Sequence, residues 1–178
     1  MLTVYCEYQS LSRLFTAITA VLALAMALPL AASDAEPAEQ AASGWEIDHW
    51  RVAFSFYTYH FDPDPDHNNT QNLIGVEAHL KNDWLAGVAV FDNSFDQPSQ
   101  FVFIGKTWRI MRSEHWYFKI MGGLLHGYKE PYEDKIPFNG LGVAPAIVPA
   151  VGYRHRRVFV EANFAGLAAL TLTAGFSF

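Results

Sequence analysis

From Trp45 onward the chain alternates apolar and polar or small residues with a period of two, and clusters of turn-forming residues break the pattern every eight to twelve residues or so. That rhythm predicts strands, not helices. Eight segments fit it: 50–60, 72–80, 84–92, 100–108, 116–127, 143–153, 158–164 and 167–178. In the first, Trp50, Val52, Phe54, Phe56 and Thr58 oppose Arg51, Ala53, Ser55, Tyr57 and Tyr59, giving an apolar face and a mixed one. In the last, Leu170, Leu172, Ala174, Phe176 and Phe178 share one face, while Thr171, Thr173, Gly175 and Ser177 share the other. Apolar-out and small-or-polar-in alternation suits a closed sheet in lipid, where closure pairs every backbone donor and acceptor between strands. The expected fold is therefore all-β, an eight-stranded antiparallel transmembrane β-barrel.

The connections sort by length, as they should if one set faces each side of a membrane. Residues 81–83 and 154–157 are short links, whereas 61–71, 93–99 and 128–142 are longer and are expected to face outward; 109–115 belongs with the short set but is no shorter than 93–99. Chemistry is expected on the long-loop rim.

The first three dozen residues follow another logic. Residues 14–30 are almost wholly apolar, preceded by Arg13 and followed by Ala31, Ala32 and Ser33. Such an order reads as a cleaved signal peptide over 1–33. A short Ala, Glu and Pro-containing leader over 34–44 follows, and the barrel occupies 45–178. The single cysteine, Cys6, lies upstream of the apolar run and leaves with it, so the mature domain has no disulfide, cysteine metal site or thiol nucleophile. A formal charge of −6 argues against nucleic acid as a partner. Aromatic residues make up 15% of the chain and charged ones only 17%, against about 25% charged in a typical soluble domain. A lipid interface accounts for both figures.

Two loops carry candidate chemistry. The first reads His60-Phe61-Asp62-Pro63-Asp64-Pro65-Asp66-His67, offering carboxylate oxygens to a divalent cation. Its prolines favour an extended run and no glycine supplies the sharp turn of a calcium loop, so it reads as a stiff, solvated acidic segment. Neither a metal nor a cofactor is expected. The second reads Phe91-Asp92-Asn93-Ser94-Phe95. A rim serine near an acid, with His60 on a neighbouring loop, supplies the residue types for acyl transfer: a hydroxyl attacks, histidine takes its proton, and a polar group orients the ring. Strict alternation puts His60 on the face of Phe54 and Phe56, so this role requires the strand end to turn the ring inward. Farther on, Pro145 and Pro149 fall within one predicted strand, and because proline donates no ladder bond they would leave the wall locally unzipped.

The order of these features resembles that of the PagP family of outer-membrane lipid A palmitoyltransferases. The likeness spans roughly 49–178 and rests on His60, the aromatic-x-Asp-Ser-aromatic-like segment 91–95 and the proline-bearing strand ending in Gly152-Tyr153. It departs where Asn93 stands in place of the family's Asp. The resemblance implies a bacterial outer-membrane enzyme that moves a palmitoyl-like acyl chain from a phospholipid donor to lipid A of lipopolysaccharide. His60 is then the general base, Ser94 the nucleophile or polar positioner, Asp92 or Asn93 the orienting group, and Pro145 and Pro149 mark lateral lipid access. A non-enzymatic barrel, either channel or adhesive, with Arg51, Glu77 and His79 in a polar lumen, is the alternative from another class. A lipid A deacylase is the third.

Overall fold

A computed structural model describes residues 43–178 of the chain; the predicted signal peptide and all but the end of the predicted leader lie outside the described residues. Among the described residues a 3-10 turn, Ser43–Trp45, precedes eight strands: β1 (Ile47–His60), β2 (Ile74–Leu80), β3 (Trp84–Asp92), β4 (Pro98–Arg109), β5 (Trp116–His126), β6 (Val143–His155), β7 (Val158–Ala165) and β8 (Ala169–Ser177), and a second 3-10 turn, Glu133–Lys135, lies between β5 and β6. Each strand pairs antiparallel with its neighbour in sequence, and β8 returns to β1 to close the barrel. Closure satisfies the sheet's backbone without an edge, the condition for spanning lipid with strands. All eight predicted segments are present, with ends displaced by no more than three residues.

The outward faces are apolar around the wall. Phe54, Val102, Ile104, Leu124, Ile147, Val160 and Phe176 are all exposed. Trp84, Trp108, Trp116 and Phe176 project near the short-turn end, while Phe56, Tyr57, Tyr59 and Phe61 gather at the long-loop end. These are the two aromatic girdles that flank the apolar band of a transmembrane barrel.

Inside, large side chains are matched to residues with none. Tyr117 pairs with Gly152 and Phe159 with Gly175 across adjacent strands. A Cβ on Gly152 would come within 2.2 Å of the Tyr117 ring, and one on Gly175 within 2.6 Å of Phe159. The lower interior, toward the short turns, is filled by an ionic network. Lys119, with 0% exposure, donates to Glu77 Oε1 at 2.7 Å and Glu161 Oε2 at 2.9 Å. Tyr117 donates to Glu161 Oε1 at 2.7 Å, Arg51 reaches the same oxygen at 3.4 Å, and His79 Nε2 bonds Glu77 Oε2 at 2.8 Å.

The strict alternation expected in β1 is corrected by a bulge. Ser55 pairs with Thr173 of β8, but Tyr57, not Phe56, pairs with Leu172. One extra residue is thereby accommodated, so Phe56 and Tyr57 both point outward, and Thr58 and His60 turn into the barrel. Bulges re-aim side chains in this way.

Candidate functional site

The site lies at the long-loop mouth of the barrel, where β1, the β1–β2 loop and the β3–β4 loop meet. His60 arrives from the end of β1 with its ring buried. Ser94 arrives from a tight loop built by Asn93. The Asn93 side chain, with 0% exposure, accepts the backbone N–H groups of Phe95 at 2.9 Å and Gln97 at 3.1 Å through Oδ1. Asn favours this arrangement because its short amide mimics a backbone turn. The Asn68 N–H donates to the Ser94 carbonyl at 2.9 Å, which ties the two loops together.

His60 Nε2 lies 2.9 Å from Ser94 Oγ, and His60 Nδ1 lies 2.9 Å from Asn69 Oδ1. An amide oxygen only accepts, so Nδ1 carries the ring proton and Nε2 is left to accept the serine hydroxyl. Hydroxyl, imidazole and amide thus stand in hydrogen-bonded order, a geometry that can make a serine nucleophilic. The sequence-predicted pair His60 and Ser94 is brought together. The predicted orienting residues are not: Asp92 Oδ2 accepts from Asn72 at 3.1 Å, and Asn93 is spent on its own turn. Asn69 holds the place expected of them, fixed in part by the bond from the Thr58 N–H to its carbonyl at 2.9 Å.

Aromatic groups close over this relay. The His67 ring centroid lies 4.3 Å from that of His60, and Phe95 meets His67 edge-on at 5.4 Å while stacking on Tyr132 at 4.0 Å. Tyr128 sits against Ser94, and burial pushes its phenol pKa above the ordinary value, with the Ser94 contact working in the opposite direction. Sequence reasoning missed Asn69 and Tyr128, which no spacing links to His60 or Ser94. Among the described residues no three or more His, Cys, Asp or Glu side chains converge as metal ligands.

Below Ser94 the barrel is hollow. A cavity of about 380 Å³ runs down between Ala53, Gly75, Ala89, Phe101, Phe103 and Met121 to Glu77 and Glu161 of the ionic network. It also reaches sideways. β6 pairs with β7 only from Ala150 onward, so residues 143–149 bond to β5 alone. Pro145 and Pro149 lie on the outward face of this stretch, and the cavity is lined there by Ile147, 70% exposed.

No family model matches the chain, and no curated protein matches it by sequence. Among solved structures it is similar to a de novo designed transmembrane β-barrel, at 13% identity and a TM-score of 0.49 over 76% of this chain and 99% of that one. It is also similar to the Yersinia pestis outer membrane protein Ail in a phospholipid bilayer nanodisc, at 14% identity and a TM-score of 0.42 over 75% of this chain and 100% of that one. The class defined here, a closed eight-stranded transmembrane barrel with a serine–histidine–asparagine relay at its mouth, rests on the strand pairing and distances given above.

Proposed function

We propose that this protein is a bacterial outer-membrane acyltransferase that moves a fatty acyl chain from a phospholipid to lipid A. The observation that carries the reading is the bonded Ser94–His60–Asn69 arrangement at the head of a largely apolar cavity whose lining includes the exposed Ile147, in the stretch of β6 that does not pair with β7. In this scheme the donor's acyl chain enters past Pro145 and Pro149 and lies in the cavity, with its ester carbonyl beside Ser94. His60 Nε2 takes the Ser94 proton as Oγ attacks, and Asn69 holds the ring. The lysophospholipid leaves with that proton. A lipid A hydroxyl then gives its proton to His60, attacks the acyl-serine ester and departs acylated, which restores Ser94. The ionic network fills the interior below the cavity, which favours this reading over an open channel.

Lipid A mass spectra from cells with and without the gene test the proposal. Expected is a species heavier by one acyl group that depends on the gene. Unchanged masses, or the loss of an acyl group as a deacylase would cause, overturn it.

A further inference from the structure

The two ends of the barrel differ sharply in charge. Across the long-loop segments 61–73, 92–97, 127–142 and 166–168, eight acidic residues face two basic ones. Across 44–50, 81–83, 106–116 and 153–158, at the short-turn end, seven basic residues face four acidic ones. The densest part of this basic end is the β6–β7 turn, Arg154-His155-Arg156-Arg157. Arg154 turns into the barrel mouth, where Asp48 and Glu114 also lie. Arg156 and Arg157 are exposed, and among the described residues neither is ion-paired to a carboxylate.

An apolar groove runs from these two arginines onto the lipid-facing wall. Tyr153, Val158 and Val160 line it, Tyr153 pairing with Val160 and His155 with Val158. Trp116 meets Tyr153 edge-on at 5.1 Å, so the groove begins within the aromatic girdle. Two cations at the polar boundary, continuous with an apolar channel along the wall, complement an amphiphile whose head is anionic and whose tail is a hydrocarbon chain. A free anion has no use for the groove, and a neutral lipid none for the arginines.

We propose that the β6–β7 turn binds an anionic glycerophospholipid of the leaflet at the short-turn end, its headgroup against Arg156 and Arg157 and one chain along Tyr153, Val158 and Val160. This rests on the membrane placement above and is independent of the catalytic reading, whose relay lies at the other mouth. Native mass spectrometry of the detergent-solubilised protein with equal phosphatidylglycerol and phosphatidylcholine provides the test. The wild type should retain phosphatidylglycerol on the order of tenfold better, in keeping with the attraction of a basic residue to an anionic surface. R156Q/R157Q should lose the preference, and K129Q/K135Q, at the opposite end, should keep it. Excess inorganic phosphate should not release the lipid. Equal retention of both lipids by the wild type, a preference that survives in R156Q/R157Q, or release by phosphate would overturn the assignment. Absence of acyl transfer by the wild type, with its lipid preference intact, would count against the enzymatic reading alone.

Discussion

The lower and upper halves of the barrel interior are built on opposite principles. Below, Lys119, Arg51, Glu77 and Glu161 satisfy one another with Tyr117 and His79 across the interior. Above, Gly75, Ala53 and Ala89 leave a hollow, and the polar groups stand at its rim instead of across it. Buried ion pairs require every member, because a charge left without its partner in a water-poor interior is costly. A hollow requires the reverse, a wall that survives without its contents. Stability is thus concentrated in the half that does no proposed chemistry, and the half that does is free to keep unfilled volume.

The largest expected effect tests the filled half. Lys119→Met removes the cation shared by two buried carboxylates and should destabilise the barrel by about 3–5 kcal/mol. Denaturant unfolding of the detergent-solubilised protein, followed by heat-modifiable gel mobility, reads this. A change of less than about 1 kcal/mol would show that the network is not what holds the lower half together.

At the rim the prediction reverses. His60→Ala and Ser94→Ala should each fold with wild-type mobility but lose acyl transfer to lipid A by about a hundredfold or more, the range for loss of a positioned base or nucleophile. A folded, fully active His60→Ala protein would refute the mechanism.

Within the hollow, Gly75 faces the cavity with room beside it: a Cβ there would meet the Ala89 and Leu73 side chains at 3.7 Å, an ordinary contact. Gly75→Met should fold and favour shorter acyl donors. Each methylene denied burial forfeits about 0.8 kcal/mol, roughly a fourfold preference. Competition between donors of different chain length, with lipid A products weighed by mass, measures it; an unchanged product profile would place the acyl chain elsewhere.

Much of this organisation is legible in the chain. The period-two runs located all eight strands, and Ser94 and His60, paired as candidates in the sequence, meet at one mouth of the barrel. What alternation misses is anything decided between strands. Asn69 sits nine residues beyond His60 in an irregular loop, and only the loop's fold brings its amide to the ring. Lys119 and Glu161 alternate like any inward pair, and nothing local says that they meet. The bulge is the plainest case, because the extra residue in β1 is defined only against β8. One trace of it survives in the chain, two adjacent aromatics, Phe56 and Tyr57, where a regular strand would send one of them inward.

That bulge supplies the smallest expected effect. Deleting Phe56 removes the unpaired residue, after which Ser55 and Tyr57 are consecutive opposite Thr173 and Leu172 and the ladder is regular. Thr58 and His60 still face inward, since the strand from Tyr57 onward keeps both its register with β8 and its parity. The deletion should therefore leave folding intact and acyl transfer within a few-fold of wild type. Acyl transfer and heat-modifiable mobility of the deletion variant make the check. Loss of activity in a folded deletion variant would mean that the bulge shapes the site by more than the direction in which His60 points.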